Sequence, residues 1–384
     1  KVQSLTLGEE VTISKCDKNK KRIDLHQAGE SLTLKQYTGA LDDGASVRFL
    51  CPQTHHDTLW ATLSILEEKF GAMVGANLYI TPAGAQGFAP HWDDIEAFVI
   101  QLEGRKRWRV YNCPTGDLPR FSSTSDLSEG DLGEPILDTV LEPGDLLFMP
   151  RGFVHQAETV SSAPSVHVTL STAQQNAWGD MLELALPEAI ASVIDQSVAA
   201  RRSLPPDYLS YMGVVHSDSN DHRRALFRAS LKMHLSQVVE QAVEMIDAVA
   251  DQMAKRYISD KLPPVLTTDE EARTSQGEVS PEEINGNSLL RVVRKDAARL
   301  VIEDGVAVVY HTMDNARTHH GAALRPLEFP LKDAPAIGCL LEAHETPVAV
   351  HTLPHPPCED VETKVSIAAA LFQEGFLALE EADP

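Results

Sequence analysis

Cysteine is scarce in this sequence, and long apolar runs are missing. Five cysteines occur among 384 residues, their number is odd, and no two of them form a Cys-x-x-Cys pair. Such sparse usage suits a reducing compartment rather than a disulfide scaffold. The sequence has neither a signal-peptide pattern nor an apolar run long enough to cross a bilayer. We therefore expect a reducing compartment and no membrane partner.

Positive charge is also in short supply. The chain has 33 Lys and Arg residues against 56 Asp and Glu residues, which leaves a net charge of −23. An acidic surface attracts basic macromolecules, so we expect a basic partner. The length suffices for two or three domains and a large core. Because the first residue is Lys1 rather than Met, we expect the natural protein to have residues before it.

Two short motifs supply a set of possible metal ligands. The first is Pro90-His91-Trp92-Asp93-Asp94, and the second ends in Val154-His155. In an extended segment His91 and Asp93 point the same way, because side chains alternate with a period of two. His155 follows Asp93 by 62 residues, so it must come from another strand of a closed sheet. Two imidazoles and one carboxylate are the ligands of non-haem Fe(II) oxygenases, which leave positions open for a cosubstrate and O₂.

The segments around these motifs are typical of short strands. Each is a brief apolar or alternating run that stops at a turn containing Gly, Pro, Asn or Glu. The predicted strands cover residues 97–102, 107–111, 139–141, 146–149, 154–156 and 165–171. Many short strands with close turns favour an antiparallel barrel or sandwich, and the ligands would then lie at its mouth.

Several histidines have an interpretation simpler than metal binding. A lone His-x-Asp is common by chance and is usually a surface pair, but the second motif and the strand pattern favour a metal site. His167 shares a strand face with Thr169, so it either lines the barrel or is a satisfied structural histidine. His319, His320, His351 and His355 lie in loops without matching cysteine pairs, so we expect no zinc site there.

Longer runs resemble a known family. Residues 86–106, 141–147 and 150–157 are similar to the JmjC ribosomal oxygenases, most of all to the nucleolar member, and the likeness continues in 211–219 and 262–266. These are Fe(II)- and 2-oxoglutarate-dependent protein histidyl hydroxylases. The resemblance implies an α+β fold: a double-stranded β-helix (a jelly-roll, cupin-like JmjC barrel), a helical dimerisation domain and a C-terminal winged-helix domain. We place these domains at 1–175, 176–266 and 267–384.

The resemblance also implies roles for individual residues. Lys106, 13 residues after Asp93, would pair as a point charge with the far carboxylate of 2-oxoglutarate. The implied cofactors are Fe(II), 2-oxoglutarate and O₂. The implied site consists of metal ligands His91, Asp93 and His155; cosubstrate-binding Lys106, Tyr79, Asn77 and Thr169; and substrate-binding Ser171, Arg48 and Asp126.

Two positions depart from the family pattern. Trp92 stands where the family usually has Tyr, and its side chain is expected to point away from the metal. Asp126 stands in a variable loop where relatives have a substrate-contacting Asn. A carboxylate there accepts a hydrogen bond from an imidazole N–H but cannot donate one. This change bears on which substrate is bound and not on the type of reaction.

Glycine and proline are absent between Val214 and Leu262, which predicts helix. Apolar residues recur there at three- and four-residue steps, at Leu231, Leu235, Val238, Val239, Ala242, Met245, Ile246, Val249 and Met253. A preceding helix is predicted at about 176–200, with its apolar stripe interrupted at Pro187. Two long helices in about ninety residues have little core of their own. We therefore expect a homodimer through this region, as in the family.

The last segment, 267–384, carries about half of the negative charge. It contains nine Lys or Arg residues and 21 Asp or Glu residues, a net charge of about −12. Nucleic-acid affinity depends mainly on cations that neutralise phosphates, and the basic run Arg291–Lys295 is too short to reverse the balance. We expect no direct nucleic-acid binding and interpret the winged-helix domain as a protein-interaction or structural module.

The resemblance thus predicts β-hydroxylation of a histidine in a large-subunit ribosomal protein, in the nucleus or nucleolus. Three alternatives remain: a JmjC demethylase of N-methyl-lysine in histone tails, an arginyl hydroxylase of a ribosomal protein, and a cupin-like binding module without turnover. Ribosomal proteins and histone tails are both basic, so charge does not separate them. A demethylase needs carboxylate or aromatic walls around a methylammonium, whereas a neutral group such as Ser171 favours the hydroxylase.

Overall fold

The structure is a computed structural model that describes residues 5–17, 20–277, 279–318, 323–356 and 360–381. Within the described residues up to 172, ten strands and two helices form the N-terminal part. The helices are α1 (Leu34–Asp42) and α2 (Asp57–Phe70). The strands are β1 (Val11–Cys16), β2 (Arg22–Asp24), β3 (Ser46–Leu50), β4 (Val74–Thr81), β5 (Glu96–Glu103), β6 (Lys106–Tyr111), β7 (Leu137–Leu141), β8 (Leu146–Met149), β9 (Val154–Thr159) and β10 (Ser165–Thr172).

The ten strands form two antiparallel sheets. The larger sheet has the order β2-β1-β3-β4-β10-β5-β8, and the smaller has the order β7-β6-β9. A cluster of buried side chains from β5, β6, β7 and β8 fills the space between the two sheets. The predicted strands are all present, and the predicted cupin-like jelly-roll is confirmed.

Strand β10 shows how the alternation of side chains creates a cavity. Val168 and Leu170 pack towards α2, in a cluster that includes Leu63. The alternate residues Thr169 and Ser171 therefore face the other way, where they line a cavity. One strand thus supplies both core and cavity wall.

Three helices follow the barrel: α3 (Trp178–Gln196), α4 (His222–Glu244) and α5 (Ile246–Asp260). The prediction of one long helix after residue 214 is wrong, because the chain breaks at Met245. There the backbone leaves helical geometry (φ −92°, ψ 9°), and the amide N–H of Met245 caps α4 at the carbonyls of Gln241 and Val243. Helix α3 is shorter than the predicted 176–200, because Ser197 has extended backbone angles, and α3 continues through Pro187.

In the described residues after 266, the C-terminal part has six strands and three helices around its own core. The strands are β11 (Leu289–Val292), β12 (Ala298–Glu303), β13 (Val306–His311), β14 (Leu327–Pro330), β15 (Val348–Ala349) and β16 (Leu377–Glu380), and the helices are α6 (Thr268–Ala272), α7 (Ala334–Glu342) and α8 (Val361–Gln373). They form the sheets β15-β11-β16 and β12-β13-β14. The core includes Phe372 and Phe376, both fully buried. The predicted mixture of helix and strand is confirmed.

Helix α2 links the barrel to the parts that follow. The buried carboxylate of Glu67 accepts hydrogen bonds from the amides of Val74 (3.3 Å) and Leu262 (2.9 Å). Burial raises the pKa of Glu67 to about 7. The indole N–H of Trp60 donates to the carbonyl of Pro263 at 2.9 Å. These contacts fix the cavity-bearing barrel to the later domains. Among the described helices, none combines the length and apolarity that a membrane span requires.

Candidate active site

The predicted ligands His91, Asp93 and His155 come together at the mouth of the barrel. His155 lies on β9, and His91 lies in the segment before β5. The two residues form an antiparallel bridge in which each amide N–H donates to the other's carbonyl, at 3.3 and 2.9 Å. Asp93 Oδ2 lies 3.8 Å from Nε2 of His91 and 3.7 Å from Nε2 of His155. This pairing of two strand segments brings His155 beside Asp93, although the two residues are 62 positions apart in the sequence.

Each histidine is held by its other ring nitrogen. Nδ1 of His91 lies 2.7 Å from the carbonyl of Ala89, and Nδ1 of His155 lies 3.1 Å from that of Phe153. Because a carbonyl only accepts, both Nδ1 atoms carry the proton and both Nε2 lone pairs face Asp93. Burial and the neighbouring His91 lower the pKa of His155. Its imidazole is therefore neutral at pH 7, which is the form that binds a metal.

The residues beside Asp93 point elsewhere. Asp94 accepts a hydrogen bond from the hydroxyl of Ser122 at 2.7 Å and another from the amide of Gln174. The indole N–H of Trp92 donates to the carbonyl of Phe121 at 3.0 Å. Neither side chain belongs to the ligand group, in agreement with the alternation expected for an extended segment.

Behind the ligands lies a cavity of about 460 Å³. It includes every side chain for which a role was predicted. The lining residues with a predicted role are Arg48, Asn77, Tyr79, His91, Asp93, Lys106, Asp126, His155, Thr169 and Ser171. The structure therefore brings all ten together, although their roles stay predictions.

Lys106 is a buried cation without an anionic partner among the described residues. Its side chain is on β6, and the residue is 5% exposed. Its ammonium donates to the hydroxyl of Thr81 at 3.2 Å, and Thr81 in turn accepts from Ser46 at 2.9 Å. Burial lowers the pKa of Lys106 to about 7. A charge desolvated in this way is costly unless a carboxylate or similar anion joins it.

His167 is a cavity residue that the sequence did not settle. Its ring stacks on Tyr79 with centroids 4.6 Å apart and an interplanar angle of 1°, and it meets the edge of Trp108 at 5.4 Å. Burial, together with the nearby Lys106, lowers the pKa of His167 well below its ordinary value. Its Nδ1 has no hydrogen-bond partner among the residues described. Of the two interpretations, the structure supports a histidine that lines the barrel.

Two arginines and one carboxylate flank the outer part of the cavity. The guanidinium groups of Arg22 and Arg48 lie 4.6 and 5.3 Å from the centre of the Phe88 ring. Asp126 accepts a hydrogen bond from the backbone amide of Arg22 at 3.1 Å. Burial raises the pKa of Tyr79, so its phenol stays protonated and can donate. The cavity thus offers both donors and acceptors to a ligand.

A jelly-roll whose cavity holds two imidazoles, one carboxylate and a buried lysine defines a class of protein. Fe(II) fits the ligand set, and an anionic cosubstrate fits the buried Lys106. The class is that of metal-dependent oxygenases with a cupin-like barrel.

Comparisons with known proteins narrow this class. Residues 48–180 match the JmjC domain family, and residues 262–382 match the family described as Ribosomal oxygenase 1, C-terminal winged helix domain. The chain is 43% identical over 371 residues to Ribosomal oxygenase 1 of Homo sapiens, covering 94% of this chain and 57% of the relative. It is 38% identical over 371 residues to the Bifunctional lysine-specific demethylase and histidyl-hydroxylase NO66 of Dictyostelium discoideum, covering 94% of this chain and 70% of that protein.

Among solved structures, the chain is similar to ribosomal oxygenase YcfD from Escherichia coli, with 17% identity and a TM-score of 0.46 over 97% of this chain and 86% of the other. A second match is YcfD in complex with cobalt and 2-oxoglutarate, with 18% identity and a TM-score of 0.43 over 97% and 87% of the two chains.

This chain belongs to the ribosomal oxygenase family of JmjC proteins. The predicted family is thereby confirmed. So is the prediction of Fe(II) and 2-oxoglutarate as cofactors, since the JmjC domain carries the His-Asp-His ligand group. The chain spans just over half the length of the Ribosomal oxygenase 1 relatives from Homo sapiens and Bos taurus, at 57% and 55%.

Proposed function

We propose that this chain is a 2-oxoglutarate-dependent protein hydroxylase that oxidises the β-carbon of a histidine in a large-subunit ribosomal protein. The observation that carries the reaction type is the placement of Lys106. This buried cation lies in the same cavity as the three metal ligands, and its one described hydrogen bond is to the neutral hydroxyl of Thr81. The far carboxylate of 2-oxoglutarate supplies the missing negative charge.

Bound Fe(II) together with 2-oxoglutarate and O₂ would supply an oxidant able to hydroxylate an unactivated C–H bond. The chain contributes the surroundings of that chemistry. His91, Asp93 and His155 would hold the metal, and a ligand set of this kind leaves coordination positions open for a cosubstrate and O₂. The aromatic rings of Tyr79 and Trp108 line that cavity beside Lys106 and exclude water from it.

The substrate proposal rests on the outer wall of the cavity. Ser171 offers a neutral hydroxyl that can donate to or accept from an imidazole, and Asp126 can accept from an imidazole N–H. The guanidinium groups of Arg22 and Arg48 lie at the same cavity and would repel a methylammonium. The name of the Dictyostelium discoideum relative includes histidyl hydroxylase as well as lysine demethylase. These groups favour the hydroxylase over the demethylase.

A basic substrate is consistent with the charge of the chain, which is −23. Long-range attraction of this kind speeds the encounter with a basic ribosomal protein and weakens as salt is added. Since relatives are named ribosomal oxygenases, we assign the protein to the nucleus or nucleolus, and imaging of the tagged full-length protein tests this location.

Mass spectrometry of ribosomal proteins and histone peptides incubated with the enzyme, Fe(II) and 2-oxoglutarate tests the proposal. We expect a gain of one oxygen on a histidine of a ribosomal protein, and none with His91→Ala. The variant His222→Ala, at an exposed position on α4, is the control and keeps full activity. Hydroxylated arginine would point to the arginyl alternative, loss of methyl groups would point to the demethylase, and modification that persists in His91→Ala would contradict the proposed site.

We also propose a homodimer through α3 and α4. Apolar side chains on α3 recur at every fourth position and are exposed: Trp178, Leu182, Leu186, Ile190 and Ile194. A second exposed row on α4 consists of Leu231, Leu235, Val239 and Val243. Contiguous apolar surface of this kind marks a protein interface, and a twofold axis would pair the same rows of two copies.

A further inference from the structure

A second group of metal-binding side chains lies in the C-terminal domain, away from the barrel. His311 ends β13, Asp314 lies in the turn that follows, and Glu374 lies directly after α8. One nitrogen or oxygen atom of each lies within 4.8 Å of the others. Within the described part of the chain, this group and the barrel ligands are the two clusters of three such side chains.

His311 has no hydrogen bond to satisfy it. The residue is 5% exposed, and neither ring nitrogen has a hydrogen-bond partner among the described residues. Glu374 Oε2 lies 3.5 Å from Nε2 of His311. Burial lowers the pKa of His311, so its ring is neutral at pH 7. A buried polar group without a partner destabilises the folded state, and a bound ion would satisfy one of the two ring nitrogens.

The backbone around Asp314 is fixed at both ends of its turn. The amide N–H of Thr312 donates to the carbonyl of Ala297 at 2.9 Å, and that of Asn315 donates to the carbonyl of Thr312 at 3.2 Å. The side-chain amide of Asn315 also donates to the carbonyl of Ile258 at 2.7 Å. The exposed carboxylate of Asp314 is therefore held near His311 by a firm turn but keeps its own rotamers.

Glu374 is positioned by the end of α8. Gly375 has a φ of 82°, a value that favours glycine, and its amide N–H donates to the carbonyl of Phe372 at 3.0 Å. The chain then enters β16 through the buried Phe376, whose ring lies 5.7 Å from that of His311. Glu374 thus comes from the part of the domain that carries sheet β15-β11-β16, whereas His311 belongs to sheet β12-β13-β14.

We propose that His311, Asp314 and Glu374 bind one divalent transition-metal ion, with Zn²⁺ as the best match. One imidazole and two carboxylates are ordinary Zn²⁺ ligands, and water completes a tetrahedron. Bonds of about 2.1 Å place tetrahedral ligands roughly 3.4 Å apart, so the atoms, now within 4.8 Å of one another, must approach by up to about 1.4 Å. The exposed side chain of Asp314 can change rotamer to permit this. The bound ion joins the two sheets of the winged-helix domain and stabilises the folded state by mass action.

The test counts metal ions in protein whose barrel site is removed. His91→Ala/Asp93→Ala protein is loaded with Zn²⁺, dialysed, and analysed by elemental mass spectrometry. We expect one Zn²⁺ per chain, and close to none after Glu374→Gln is added. The control is Glu328→Gln, an exposed carboxylate on the neighbouring strand β14, and it keeps the ion. Circular dichroism confirms that every variant is folded.

Binding and stability are then measured in the same variants. Titration with Co²⁺ should give a visible absorption band. Asp314→Asn should weaken metal binding by about 100-fold, which is as large as the largest loss seen when a residue that only orients a ligand is replaced. Zn²⁺ should raise the Tm of the Glu328→Gln control but not that of Glu374→Gln. A background protein that retains no Zn²⁺ overturns the proposal. So does a Glu374→Gln protein that binds as tightly as the control, which would leave His311 and Glu374 as neighbours that do not share a metal ion. Neither result depends on hydroxylase activity.

Discussion

The barrel cavity and helices α3 and α4 are incomplete in opposite senses. Among the described residues of the cavity, Nδ1 of His167 is buried without a hydrogen-bond partner, and the ammonium of Lys106 has the Thr81 hydroxyl but no anion beside it. The helices expose apolar groups that should be buried, such as Ile190, which is 45% exposed, and Leu235, which is 55% exposed. The cavity lacks a polar ligand, and the helices lack an apolar partner surface to cover them.

The difference shows what kind of partner each region requires. A cavity that has already desolvated Lys106 gains from an anion, because the cost of burying the charge is already present in the folded protein. A helix face with a row of exposed leucines and isoleucines gains from contact with a similar face, because association removes apolar area from water. On the proposals made above, the cavity takes a small anion and the helix face takes the same face of a second copy.

Among the variants that test the two regions, Lys106→Met should have the largest effect. Methionine is similar to lysine in length but has no charge. We expect the KM for 2-oxoglutarate to rise by at least about 100-fold, since losing one partner of a buried ion pair costs about 3–5 kcal/mol. Steady-state kinetics with varied 2-oxoglutarate measures this change. Lys106→Arg, which keeps the charge, should lose less. An unchanged KM in Lys106→Met would mean that the cavity is not short of an anion.

Ile190→Asp tests whether the exposed apolar row on α3 is a dimer interface. Placing a charge in the exposed row of α3 should weaken dimer association by about 30-fold, equivalent to roughly 2 kcal/mol. Analytical ultracentrifugation over a range of concentrations gives the dissociation constant. Glu188→Gln, an exposed polar position on the same helix, serves as the control and should remain dimeric. If wild-type protein sediments as a monomer at micromolar concentration, the proposed dimer is wrong.

The smallest effect is a dependence of 2-oxoglutarate binding on pH. The pKa of Lys106 is lowered to about 7 by burial, and a bound carboxylate raises it. Below pH 7 the ammonium is already protonated, so the Kd stays constant with respect to this group. Above pH 7 binding must take up a proton, so the Kd should rise by up to about tenfold per pH unit. Calorimetry in buffers of different ionisation enthalpy detects the proton, and Lys106→Met should abolish its uptake.

The metal ligands could be predicted from the sequence because strand alternation relates sequence to direction, whereas the other cavity residues were implied by the family resemblance. The His-x-Asp spacing placed His91 and Asp93 on one side, and the short apolar runs predicted the strand that carries His155. Thr81 and His167 were harder. A hydroxyl beneath Lys106 has no pattern of its own, and a histidine in a strand is equally compatible with a satisfied core residue.

In the helical and C-terminal parts, local sequence patterns do not predict the features described above. Apolar spacing continues across Met245, so the break between α4 and α5 could not be found from periodicity. His311 and Glu374 are 63 positions apart and belong to no motif. Only the packing of α8 against the sheets brings them together, which is a tertiary effect that local spacing does not encode.

The backbone bridge between His91 and His155 has a consequence for the order of events during synthesis. His91 and Asp93 leave the ribosome at least 62 residues before His155, about 3–12 s earlier at roughly 5–20 residues per second. During that interval the nascent chain offers only two ligands. The complete ligand group therefore forms only when β9 pairs with the segment before β5, so the site depends on a contact between chain segments made at different times.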